Sequence, residues 1–262
     1  MMFADRVVLV TGGGTGIGRA LAAAFYREGA KVAIASRDPE HLKKAATVIL
    51  AREKKGGALI PVRLDVRVAN SARAAAAQVA EEWGRIDVLI NGAGVSGRVP
   101  IDDADAEADQ RWLDIVSTNL HGAYFMIRAC LPHMKEGARV INISSVLGKF
   151  GVAGYSAYCS AKHGVVGLTR ALAAELAPKG ITVNAICPGW VDTAMSEAGI
   201  KEIAAALETT PEEFRKSAME KVPLGRMLRP EEIAPLALYL ASPAAEALTG
   251  QAINIEGGAT TW

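Results

Sequence analysis

The sequence predicts a single α/β domain, and three observations lead there. Short, β-branched apolar runs alternate with longer segments of helical period along the chain. The first run and the first helical segment are joined by a glycine-rich turn, Thr11-Gly12-Gly13-Gly14-Thr15-Gly16-Ile17-Gly18. With 262 residues and 50% hydrophobic content the chain can bury a sizeable core. That length lies in the range where an α/β fold remains one unit, so residues 1–262 are expected to form one domain.

Composition narrows the function classes. The net charge is +1 and no long basic run is present, so a nucleic-acid partner has no electrostatic support. Cys130, Cys159 and Cys187 are far apart in apolar contexts, which gives neither a disulfide framework nor a zinc pattern. No metal is expected, and a reducing, cytoplasmic compartment fits. Strand-like sequence starts almost at the first residue and no apolar run is long enough to span a bilayer, so neither a signal peptide nor a membrane partner is expected.

Arg6 to Val10 reads as the first strand, and Arg19 to Glu28 as a helix stopped by Gly29. Glycines between them permit a tight reversal, the approach of a diphosphate to backbone N–H groups, and close packing of helix on strand. Lys31 to Ala35 is the second strand. At its end, where many folds of this kind carry an acid for the adenine ribose, stand Ser36 and Arg37. A carboxylate would repel a 2′-phosphate, whereas a hydroxyl and a guanidinium bind it, which favours NADP(H). The alternative, with Arg37 on the surface and Asp38 on the ribose, corresponds to NAD(H).

Pro39 to Lys55 is an amphipathic helix closed by Gly56-Gly57, and Ala58 to Leu64 is the third strand. Asp65, followed by Val66, either accepts from an adenine amino group or caps the helix that begins near Ala69. Ile86 to Ile90 is the fourth strand, and Asn91-Gly92-Ala93-Gly94 leaves it with little side-chain bulk, as a backbone lying against a cofactor requires. A long helix is expected from about Asp109 to Lys135. Asn119, near its middle, is a poor helix former; it either has a hydrogen-bonding role, such as holding a water or a carbonyl, or faces solvent.

Val140 to Ile143 is a buried strand followed by Ser145, a Gly148/Gly151/Gly154 loop, and a helix from Tyr155 to Ala177. Tyr158 and Lys162 lie four apart on one face of that helix. A phenol with a pKa near ~10 is a poor acid or base at neutral pH, and a cation about 4–6 Å away lowers it by roughly 1–3 units. Lys162 is placed to be that cation and Ser145 to hold a substrate oxygen, which makes the trio a proton-transfer device for a carbonyl/alcohol pair. Tyr-x-x-x-Lys alone is common by chance; its company in the chain gives it weight.

Ile181 to Ile186 is the sixth strand, left by Cys187-Pro188-Gly189-Trp190-Val191-Asp192-Thr193 at the same sheet edge. Residues 194–222 break the strand–helix rhythm and are expected to form a substrate-covering lid. Pro230 to Ala241 is a helix with proline in its first turn, and Gln251 to Ile255 is the last strand.

Thr11-Gly12-x-x-x-Gly16-Ile17-Gly18, Asp65, Asn91-x-Ala93-Gly94, Asn119, Ser145, Tyr158-x-x-x-Lys162 and Pro188-Gly189-x-Val191-x-Thr193 occur in an order that resembles the short-chain dehydrogenase/reductase family over essentially the whole chain. The resemblance implies a Rossmann-type, doubly wound, seven-stranded parallel sheet and a catalytic tetrad of Asn119, Ser145, Tyr158 and Lys162. In it Tyr158 is the acid/base, Ser145 orients the substrate oxygen, Lys162 binds the nicotinamide ribose and lowers the phenol pKa, and Asn119 supports a proton-relay water. The family's spacing selects Ser145 over Ser144, and Tyr158 over Tyr155, which lacks the lysine. Expected cofactor contacts are Gly12, Thr15, Gly16, Ile17, Gly18, Ser36, Arg37, Asp65, Val66, Asn91, Ala93, Gly94, Tyr158, Lys162, Pro188, Gly189, Val191 and Thr193.

Gly92 departs from the family, which often has a second asparagine there. Gly148-Lys149-x-Gly151-Val152, the stretch from Lys162 to Gly167 and the lid length are similar to ketoreductases of polyketide and 3-oxoacyl chemistry, although Val95-Ser96-Gly97-Arg98 lacks the glycine-rich element of the aromatic polyketide enzymes. The expected activity is NADP(H)-dependent reduction of a ketone, a 3-oxoacyl thioester or β-keto compound, with the acyl group on CoA or an acyl carrier. The rivals are an NAD-dependent secondary alcohol dehydrogenase acting oxidatively and a non-enzymatic NADP-binding regulatory or scaffold protein. Small or apolar residues surround most of the Tyr155 to Ala177 helix, so its outer side is expected to be covered by another copy, and the resemblance implies a homotetramer.

Overall fold

The computed structural model describes residues 1–53 and 56–260 and contains one seven-stranded, all-parallel sheet in the order β3-β2-β1-β4-β5-β6-β7. The strands are β1 (Val7–Thr11), β2 (Lys31–Ser36), β3 (Ala58–Arg63), β4 (Val88–Asn91), β5 (Arg139–Ile143), β6 (Thr182–Pro188) and β7 (Ala252–Ile255). Alternate residues of β1 feed opposite faces. Val8 and Val10 join a core with helices α1 (Gly16–Arg27), α2 (Pro39–Arg52) and α9 (Ala234–Ala241). Val7 and Leu9 join a second core with α3 (Ala69–Trp83), α5 (Gly122–Cys130) and α6 (Ser156–Leu176). Burial on both faces explains why the strands read as continuous apolar runs.

Most expected elements are present with ends shifted by one or two residues. The helix expected to reach Lys55 is seen to Arg52; Lys54 and Lys55 lie outside the described residues. The long helix from Asp109 to Lys135 is a correction. It divides into α4 (Ala108–Val116), a π-helical turn (Ser117–His121) and α5, and gives way to a 3-10 turn at Leu131–His133. Pro132 explains the early end, because it has no N–H to continue the ladder. The helix expected at Pro230 starts as a 3-10 turn (Pro230–Ile233) before α9.

The site lies where the winding reverses. β1 pairs with β2 on one side and β4 on the other, so connections leave the two central strands toward opposite faces and a crevice opens at their carboxyl ends. Between β6 and β7 the chain forms α7 (Ala194–Ala206) and α8 (Pro211–Glu220), tied together by Arg215 Nη2 donating to Glu197 at 2.6 Å.

Candidate active site

The glycine turn after β1 is packed to its limit. A Cβ at Gly18 would lie 2.2 Å from Gly12 O, and one at Gly12, whose φ is +68°, would lie 2.7 Å from Gly92 O. The turn thus seats α1 on the sheet and brings it against the chain leaving β4. Thr15 precedes α1 without capping it, and the first turn of α1 has no acid. Its N–H groups and the positive end of the helix dipole therefore suit a diphosphate. Thr193, N-cap of α7, closes the other side of the turn: a Cβ at Gly16 would be 3.2 Å from its methyl group.

At the end of β2, Asp38 caps α2 by accepting from Glu40 N at 2.8 Å and His41 N at 3.4 Å, and it also pairs with His41. Its carboxylate is engaged, whereas Arg37 is exposed with no hydrogen bond or ion pair among the described residues. Ser36 Oγ accepts from Asp38 N. These side chains fit a ribose that carries a 2′-phosphate. Asp65 is not the cap of α3, since Val68 stands there without a side-chain cap. Its carboxylate is held by Arg67 at 2.9 Å, which keeps it below the usual carboxylate range, and Arg67 reaches on to Asp114 at 3.2 Å. Arg67 was not singled out from the sequence; an opposite charge two residues after Asp65 was the available signal.

Thr11 Oγ1 accepts from Gly92 N and Ala93 N, both at 3.1 Å, and so bends the chain after β4 across the crevice. Asn91 Nδ2 donates to Asn142 Oδ1 at 2.8 Å, and Asn142 Nδ2 to Thr169 Oγ1 at 2.9 Å, a buried chain linking β4, β5 and α6. Val66 packs against Gly122, where a Cβ would be 2.8 Å from the valine Cβ. Beyond β6, Gly189 N donates to Ile255 O at 3.0 Å and Val191 bridges to Leu228, which fixes the segment from Pro188 to Thr193 at the same edge.

Asn119 has the hydrogen-bonding role expected of it. It is 3% exposed, and its Nδ2 donates to Val95 O at 2.7 Å and Ile115 O at 2.8 Å. The Ile115 carbonyl lies four residues back, and Asn119 itself sits in the π turn Ser117–His121. Asn119 Oδ1 rests against Gly94, where a Cβ would be 2.7 Å away.

Ser145 follows β5 in extended conformation and caps the 3-10 turn Val146–Gly148, accepting from Leu147 N at 3.1 Å. Neighbouring Ser144 serves a different purpose, donating to Lys162 O at 3.0 Å and so docking the loop on α6. Lys162, 5% exposed, donates to Ile143 O at 2.8 Å, and its Nζ lies 5.5 Å from the Tyr158 ring centroid. Burial pushes Lys162 down to about 8. The lowering of Tyr158 expected from Lys162 is not what the site shows. Desolvation pushes the phenol up to about 12, and the group pulling it back is the Ser145 hydroxyl within hydrogen-bonding reach. The fold thus brings Asn119, Ser145, Tyr158 and Lys162 to one crevice, with a phenol that keeps its proton at neutral pH. Among the described residues no cluster of His, Cys, Asp or Glu could hold a metal, and no helix is long and apolar enough to cross a membrane.

Known proteins resemble the chain over nearly its whole length. A family model described as enoyl-(acyl carrier protein) reductase matches residues 12–260. A Streptomyces virginiae protein named for the ketoacyl reductase of a monensin polyketide synthase is 43% identical over 258 residues, covering 97% of both chains. The 3-oxoacyl-acyl-carrier-protein reductase of Thermotoga maritima is 35% identical over 262 residues, covering 98% of this chain and 99% of its own. Among solved structures, a point variant of actinorhodin polyketide ketoreductase with NADPH matches at a TM-score of 0.90 and 37% identity, covering 100% of both chains.

Proposed function

The chain belongs to the short-chain dehydrogenase/reductase family, and from that premise we propose that it is an NADP(H)-dependent ketoreductase that converts a 3-oxoacyl thioester or related β-keto compound to the secondary alcohol. The observation that carries the reading is the meeting of Ser145, Tyr158 and Lys162 at the carboxyl edge of the sheet, beside the uncapped start of α1. Ser36 and Arg37 hold the 2′-phosphate, the N–H groups around Gly16 to Gly18 hold the diphosphate, and Lys162 holds the nicotinamide ribose. NADPH supplies the hydride when bound. Tyr158, protonated at neutral pH, donates its proton to the carbonyl oxygen that Ser145 orients. Asn119 positions the water that returns a proton to the site.

Residues 194–222 act as the lid, and the enzyme works in the cytoplasm as a homotetramer assembled in part through the outer side of α6. Support for that interface comes from the exposed row His163, Gly167, Ala171 and Ala174. The test is reduction of a panel of ketones, acyl thioesters and one enoyl thioester, followed by absorbance with NADPH and NADH side by side. The enoyl substrate belongs in the panel because of the description carried by the matching family model. Turnover confined to the enoyl compound, or to NADH, overturns the proposal.

A further inference from the structure

Beside the catalytic cluster runs a groove of about 560 Å³, lined among others by Ser96, Arg98, Asp114, Ile115 and Glu202. Ile115 also belongs to the small apolar cluster against which the Tyr158 ring packs, so the groove adjoins the phenol. Nearly every charge on its wall is engaged. Arg111 is held by Asp103 at 2.8 Å and Asp105 at 2.6 Å, Asp114 is held by Arg67, and Glu202 accepts from Arg98 N at 3.2 Å. The exception is the half-buried Arg98 guanidinium, which has no hydrogen bond or ion pair among the described residues.

Arg98 is held in place by its surroundings. Val99 N donates to Gly154 O at 2.7 Å, and a Cβ at Gly154 would stand 2.9 Å from Arg98 Nε. Gly154 immediately precedes Tyr155, one helical turn before Tyr158. Tyr155 Oη is buried and unpartnered beneath Gly199 of α7, and it feels the charges of both Arg98 and Glu202. The guanidinium therefore sits against Gly154, just ahead of the helix that bears the reacting phenol, and the residue lines the groove.

The geometry points to Arg98 as the side chain that selects the substrate, by donating to a second, neutral carbonyl oxygen on the molecule that carries the ketone. This inference rests on the ketoreductase reading above. Partly desolvated donors require an acceptor, and Glu202 beside Arg98 leaves the local charge near zero, which suits an ester, thioester or amide carbonyl better than a carboxylate. The substrate class is then a ketone bearing an acyl group rather than a simple ketone or a free keto acid.

Three matched substrates decide it: a keto ester, a ketone of equal length with methylenes in place of the ester, and the free keto acid. Each is measured with wild type, Arg98→Met and Arg98→Lys. Wild type is expected to prefer the ester, and the ester-to-ketone ratio of kcat/KM to fall about 10-fold or more in Arg98→Met, chiefly through KM, with Arg98→Lys retaining part of the preference. An unchanged ratio, or equal losses on ester and simple ketone, overturns the proposal. So does a preference for the free acid that Arg98→Met abolishes, which would mark an anion site. Should Arg98→Met fail to fold, the wild-type preference and Arg98→Lys decide. A wild type that reduces none of the three overturns the ketoreductase reading, and this inference with it.

Discussion

At the scale of single residues, Tyr158 and Lys162 are shaped by burial in opposite directions. Tyr158→Phe is expected to lower turnover by at least ~10²-fold, the usual scale for a general acid, with little change in NADPH affinity. Near-normal turnover would remove the phenol from the mechanism. Lys162 carries a folded-state value of about 8 against 10.5 for an ordinary lysine. Between those values the unfolded chain binds more protons than the folded one, so folded stability rises with pH across that window. The Lys162→Met variant lacks this titration. Its stability relative to wild type, from urea denaturation, should fall by about 2 to 3 kcal/mol from pH 7 to pH 10; a pH-independent difference would show that the amine is not desolvated. At Arg37, a charge-assisted contact to the 2′-phosphate is worth about 1.5–3 kcal/mol, roughly 10- to 150-fold in preference. Arg37→Ala should lose that much of the NADPH-over-NADH ratio in kcat/KM, and an intact ratio assigns the 2′-phosphate elsewhere.

At the scale of elements, the glycine turn is a joint in which backbone meets backbone with no room for a side chain. A methyl group at Gly18 meets the Gly12 carbonyl, which belongs to the backbone and cannot turn aside. Gly18→Ala should therefore lift α1 from the sheet, costing about 1–3 kcal/mol of stability and weakening NADPH binding together. A thermal melt and a fluorescence titration check both, and an unaffected variant would mean that the helix does not sit this close. The spacing of these glycines, like that of Tyr158 and Lys162, was legible because local geometry alone requires it. The break between α4 and α5 was not legible, and the expected helix also ran past Pro132 to Lys135; the Asn119 amide that meets the Ile115 carbonyl in the π turn is a contact that hydrophobic period does not encode. Asn142 was passed over within an apolar strand, and its partners Asn91 and Thr169 come from distant segments. The rise of the Tyr158 pKa likewise depends on what surrounds the phenol after folding, and a pairwise view of Tyr158 and Lys162 gave the wrong direction.

At the scale of the whole molecule, α6 buries one side on the sheet and leaves His163, Gly167, Ala171 and Ala174 exposed, with Leu113 of α4 and Tyr124 of α5 also exposed. A Cβ at Gly167 meets nothing within 4 Å, so Gly167→Glu fits the isolated chain. It should nevertheless reduce the assembly that light scattering detects in wild type, because two charges would meet across a two-fold axis. A wild type that is monomeric and fully active would sink the tetramer. The order of the strands has another consequence, for how the chain is made. Val8 of β1 pairs with Val32 of β2 but also with Val88 of β4. As the polypeptide emerges from the ribosome, the first neighbour is ready early, while the second waits until α2, β3 and α3 have been synthesised. During that interval the far side of β1 is an open, apolar strand edge that other nascent chains can join. Refolding from denaturant should consequently be slow and lose yield as protein concentration rises, because the pairing that creates the crevice is also the one the chain completes late.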